Sequence, residues 1–65
     1  MKNFGSRLTK LRKDRGLSLE QLAKELKFTK ISLSLWENNQ KALSINNLIK
    51  IAKYFNVSVD YLLGL

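Results

Sequence analysis

Ser18 and Thr29 are both placed to start a helix, and the short distance between them limits the fold more than any other feature of the chain. Ser18 is followed three residues later by Gln21, the capping-box spacing in which cap and third residue satisfy each other's stranded backbone donors. Leu22, Ala23 and Leu26 then fall on one apolar helical face of about two turns. Thr29 offers a second cap only three residues past Leu26, and Leu33 and Trp36 carry on an apolar face. Two helices joined by about three residues cannot lie side by side. They must cross steeply.

The same local pattern recurs along the chain: an apolar residue, Ser or Thr, three residues, then Leu. It reads Leu17-Ser18…Leu22, Phe28-Thr29…Leu33, Leu43-Ser44…Leu48 and Val57-Ser58…Leu62. Each hydroxyl is a candidate N-cap, and each flanking apolar pair a hydrophobic staple between N′ and N4. The spacings are unequal, so this is not a tandem repeat. A further helix precedes Gly16, with Phe4, Leu8 and Leu11 at i, i+4 and i+7. The pattern predicts an all-α chain of five helices at about 3–14, 19–26, 30–37, 45–54 and 59–63, with residues 1–65 as one domain. Gly16 suits the left-handed position that ends the first helix. The fourth helix is expected to bury Leu48, Ile51, Ala52 and Phe55 and to turn Asn46, Asn47, Lys50 and Lys53 outward. Asp60 falls in the first turn of the fifth, where a negative charge favours the helix dipole.

Composition removes whole classes of chemistry. With no Cys and no His, the chain has no disulfide, no zinc-finger ligand set, no thiol nucleophile and no imidazole base. Five carboxylates without obvious pairing remain, so neither catalysis nor a metal or other cofactor is expected. Twelve Lys and Arg against five Asp and Glu give a formal charge of +7, which points to a polyanionic partner. Six of the positive charges, Lys2, Arg7, Lys10, Arg12, Lys13 and Arg15, precede Gly16. No apolar run approaches the roughly 18 residues needed to span a membrane. The N-terminus MKNFGSRLTKLRK lacks the apolar centre of a signal peptide, and a cytoplasmic protein is expected.

The stretch LSLEQLAKELKFTKISLSLWE, with Leu-Ser-x-Glu-x-Leu-Ala, a Thr cap and a second helix ending in Glu37, resembles the Xre/Cro-type helix-turn-helix of bacterial and phage repressors. The closing segment from Val57 to Gly64 is similar to the last helix of those domains. The resemblance implies a compact five-helix bundle of the lambda-repressor-like type, with the helix-turn-helix at 18–37. It also implies a sequence-specific double-stranded DNA-binding regulator, a repressor foremost, acting as a homodimer on a palindromic operator. Relatives place Gly where this chain has Lys27. A non-Gly residue in the left-handed region costs about 1 kcal/mol. Asn39 tolerates that conformation in the following loop, and Leu43 stands where relatives often have Pro.

On a helical wheel of residues 30–36, Leu33 and Trp36 share the core side, while Lys30, Ile31, Ser34 and Leu35 cover the other. In the family that other side enters the major groove, so these four are the expected base readers. Many relatives carry Gln, Asn or Arg there. Here Lys30 can donate to guanine, Ser34 can donate or accept, and Ile31 and Leu35 can pack on thymine methyls. Expected backbone contacts are Ser18, Leu19, Thr29, Ser32, Asn38, Asn39 and Lys41, with Arg12 reaching toward a phosphate while pairing with Glu37. Tyr61, Leu63 and Leu65 are candidates for the dimer surface. A protein-interaction module, antitoxin-like, presenting Ile31 and Leu35 to a protein partner is the alternative. A membrane-surface binder is disfavoured because the core consumes the apolar residues.

Overall fold

A computed structural model describes residues 3–65; Lys2 and its charge lie outside the described residues. Among these residues the chain forms five helices: α1 (Phe4–Asp14), α2 (Leu19–Leu26), α3 (Lys30–Glu37), α4 (Ile45–Phe55) and α5 (Val59–Leu63). Four of the starts are built alike. The hydroxyls of Ser18, Thr29, Ser44 and Ser58 accept the N–H of the third helical residue at 3.1, 3.0, 3.2 and 3.0 Å. At Ser18 the box is complete, because the Ser18 N–H donates to Gln21 Oε1 at 2.8 Å. The staples close as well. Leu22, Leu33, Leu48 and Leu62 are buried, and Leu17, Phe28, Leu43 and Val57 pack against the same core.

The helix ends share a second device. Gly16, Lys27, Asn39, Asn56 and Gly64 all have positive φ. After each, the next N–H reaches back to a carbonyl one turn and a half earlier, as in Leu17 to Arg12 and Phe28 to Ala23. These are Schellman closures, and only two of the five use Gly. Lys27 sits at φ +60°, ψ +37°, so the turn between α2 and α3 does carry the cost of a side chain in the left-handed region. Asn39 and Asn56 tolerate it better, since a short polar side chain can bond locally.

The core gathers Phe4 and Leu8 of α1, Leu22, Ala23 and Leu26 of α2, Leu33 and Trp36 of α3, Leu48, Ile51, Ala52 and Phe55 of α4, and Leu62 of α5. Leu11, expected inside, is only half-buried at its edge. Asn46, Lys50 and Lys53 face solvent, but Asn47 is half-buried. Trp36 stacks edge-on against Phe28 at 4.9 Å between centroids and donates its Nε1–H to the Ala42 carbonyl at 3.2 Å. One indole thereby ties α3 to the turn before it and the loop after it.

Gly5 lets α1 pass close to α3. A Cβ there would collide with the Glu37 carbonyl, at 2.8 Å from its carbon. The Gly5 N–H donates instead to Asn39 Oδ1 at 3.1 Å.

Lys27→Gly is expected to raise stability by up to about 1 kcal/mol, since the backbone conformation is kept and its side-chain strain removed. On a domain this size that is roughly 4–8 °C in melting temperature per kcal/mol. Thermal unfolding followed by circular dichroism checks it, and a lower melting temperature would contradict the strain.

Candidate nucleic-acid interface

The second helix of the steeply crossed pair carries its side-chain charges against its own dipole. Lys30 opens α3 with no acidic residue in the first turn, and Glu37 closes it with no basic residue in the last turn. Negative charge is favoured at a helix N-terminus and positive charge at the C-terminus, so both placements are unfavourable for the helix alone. The two ends are resolved differently.

At the C-terminal end Arg12 of α1 supplies the cation. Its Nε–H donates to Glu37 Oε2 at 2.7 Å and its Nη2 to Oε1 at 3.2 Å, a two-pronged pair, while Nη1 donates to the Leu17 carbonyl at 2.8 Å. The two side chains are 12% and 7% exposed. Three of the five guanidinium donors are thus engaged inside the fold. Arg12 thus holds α1 to α3 and to the turn before α2, with two guanidinium N–H groups left over beside the DNA-backbone contact expected of it.

The N-terminal end of α3 is left positive and open. Thr29 caps it through Ser32 N–H, and Ser32 Oγ accepts from Lys41 Nζ at 3.0 Å. Lys41 also lies over the Trp36 ring, 5.7 Å from its centroid. Thr29, Ser32 and Lys41 therefore meet at the first turn of α3, beside Lys30. Hydroxyls, an ammonium and the free N–H groups of a helix start are the groups that bind a phosphate.

The other expected backbone contacts are sorted by the fold. Ser18 is occupied as a cap, and exposed Glu20 in the first turn of α2 opposes an anion there. Asn39 is tied through Oδ1 to Gly5, and Asn38 Nδ2 donates to the Ser34 carbonyl at 2.8 Å, closing α3. Leu19 does not stand on a polar rim. It joins Lys30, Ile31, Ser34 and Leu35 in lining a shallow depression of about 350 Å³. The packing of α2 on α3 brings the first residue of α2 beside the outer face of α3, a proximity that a single-helix wheel cannot display. Ile31 is 73% exposed, whereas Ser34 and Leu35 are half-buried. The expected reading residues thus lie together with Leu19 on one surface.

Of the dimer candidates, Leu65 is exposed, but Leu63 and Tyr61 pack against the core, and Tyr61 lies under Arg7 at 4.7 Å. Exposed Ile45 and Ile49, one turn apart on α4, were not singled out by the periodicity. Their i, i+4 spacing was the available signal. No helix of the described residues is long and apolar enough to cross a membrane.

Comparison with known proteins bears on this surface. Residues 8–62 match the helix-turn-helix family HTH_3. The chain is 41% identical over 62 residues to the HTH-type transcriptional regulator YobD of Bacillus subtilis (strain 168), covering 95% of this chain and 55% of that protein. It is 35% identical over 61 residues to the HTH-type transcriptional activator BcrR of Enterococcus faecalis, covering 94% of this chain and 30% of BcrR. The crystal structure of an HTH_3 family transcriptional regulator from Vibrio cholerae superposes with a TM-score of 0.81 at 31% identity, over 95% of this chain and 35% of that one. The chain therefore spans about half, or less, of the length of the proteins it matches.

Glu37→Ala should lower stability by about 1–3 kcal/mol, because it leaves the part-buried Arg12 guanidinium without its counter-charge. Replacing both Arg12 and Glu37 by Met should recover most of that loss. Denaturant unfolding of the two variants checks this; a loss under about 1 kcal/mol for Glu37→Ala would place the pair with solvent-exposed ones.

Proposed function

This chain belongs to the Xre-type helix-turn-helix family, and from that premise we propose that it binds double-stranded DNA as a transcriptional regulator, laying α3 in the major groove. The observation that carries the reading is the exposed positive end of α3. Lys30 is set on the favourable side for anions, no carboxylate sits in that turn, and Thr29, Ser32 and Lys41 gather around it. An arrangement unfavourable for an isolated helix becomes favourable once a phosphate arrives. Lys30, Ile31, Ser34 and Leu35 then face base edges, with Lys30 a donor to guanine O6 or N7. The charge of +7 steers the chain to DNA and makes the affinity salt-dependent.

Binding as a homodimer to a palindromic operator accords with family membership, and exposed Leu65, Ile45 and Ile49 are the apolar groups available for such an interface. A second reading rests on the same depression: Ile31, at 73% exposure, is an apolar residue that a protein partner could cover.

Selection of duplexes from a random DNA pool should return a palindromic consensus. Affinity for it should fall linearly in log K against log salt, with about 0.9 counterion released per phosphate neutralised. Lys41→Ala should weaken all duplexes alike and lower that slope by about one. Failure to enrich any duplex, together with a salt-independent protein complex lost in Ile31→Ala, would transfer the surface to the protein-partner reading.

A further inference from the structure

The depression between α2 and α3 is apolar where a base edge would sit. Its walls are Leu19 from the first turn of α2 and Ile31 and Leu35 from α3, with Ser34 between them and Lys30 at the rim. Its occupant is taken to be a duplex because the one charged side chain lining the depression is Lys30, Lys41 stands bonded to Ser32 in the first turn of the same helix, and the only carboxylate of α3, Glu37, is paired with Arg12. On the major-groove edge of a base pair, the one apolar feature is the C5 methyl of thymine. Cytosine carries a methyl at the same C5 only when it is methylated.

Resting on the DNA-binding reading above, we propose that this depression reads a pyrimidine by its C5 methyl group, so that thymine and 5-methylcytosine are accepted and unmethylated cytosine is not. Leu19 is then a specificity residue rather than a backbone contact. Hydrogen bonding does not override the methyl, because no wall group is a donor only or an acceptor only at that depth. Thymine offers its O4 acceptor and cytosine its N4 donor, and the Ser34 hydroxyl pairs with either. Lys30, a donor only, is left for a neighbouring acceptor such as guanine O6 or N7. The walls differ in what they risk on truncation. Ile31 is exposed and makes no core contact, so Ile31→Ala keeps the fold, whereas Leu19 packs partly against the core.

The test uses the duplex recovered by random-pool selection, at fixed salt. Thymine in each half-site is replaced in turn by deoxyuridine, which removes the methyl and leaves every hydrogen-bonding group in place. At the facing position affinity should fall roughly fourfold, the factor carried by burying one CH₂ group. With cytosine placed there, 5-methylcytosine should bind more tightly than cytosine by a similar factor. Ile31→Ala should bring the thymine-to-uracil ratio to one, and Leu19→Ala should do the same, with helical circular dichroism confirming the fold of each. If uracil binds as tightly as thymine at every position, or if the selected half-site holds no thymine, methyl reading is overturned while DNA binding stands. If no duplex is bound in a salt-sensitive way, both readings fall.

Discussion

A largely enclosed ion pair between the first and third helices, 12% and 7% exposed, sets the frame on which the rest of the structure depends. Arg12 grips Glu37 with two donors and the Leu17 carbonyl with a third, so one guanidinium joins α1, the turn into α2 and the C-terminus of α3. Taking both charges out of water is expensive, and such a pair is weak as a source of net stability. Its value lies in geometry. Removing either partner strands the other, so the pair holds only one docking of α1 on α3. Gly5 makes that docking possible by admitting the Glu37 carbonyl where a Cβ would stand, and its N–H meets Asn39.

α3 itself is too short to stand alone: isolated helices under about 12–15 residues are marginal in water. Here it lasts eight residues because each end is held from outside. Thr29 caps its start, Phe28 packs against Trp36 beneath it, and the Ala42 carbonyl receives the indole N–H. Glu37 has its charge answered by α1. The unfavourable charge at the other end, Lys30, meets no carboxylate in an ion pair among the described residues. Stability alone gives no reason for that choice, and the site that results is suited to a phosphate.

The face so presented differs in chemistry from one built on amides and guanidinium groups. Two aliphatic side chains of α3 and one of α2 form an apolar hollow with Lys30 and Ser34 at its edge. Such a hollow can discriminate base edges by shape and methyl groups, beside the hydrogen bonds that Ser34 and Lys30 can make. On the DNA-binding reading proposed above, Lys41 and its hydroxyl neighbours would supply affinity, and Leu19, Ile31 and Leu35 would add to the base reading of Lys30 and Ser34.

Helix starts were readable in the sequence because they are local: a hydroxyl, a flanking apolar residue and a Leu five residues later form a cap and a staple whatever the rest of the chain does. The same holds for the left-handed closures at Gly16 and, by comparison with relatives, at Lys27. Asn56 escaped because an Asn before Val reads equally well as a solvent residue, and only the end of α4 puts it at φ +56°. The inner face of each helix followed from periodicity. What periodicity cannot carry is the contact between elements. That Arg12 is walled in, that Asn39 is spent on Gly5, and that Leu19 sits beside Leu35 each depend on side chains from elements far apart in sequence, or on the angle at which two helices cross. The sequence by itself determined which residues begin, end and line the helices, since those forces act within a turn or two. Tertiary packing alone decided which polar groups were left over for a ligand, because a hydrogen-bonding group is free only when no distant partner has reached it first.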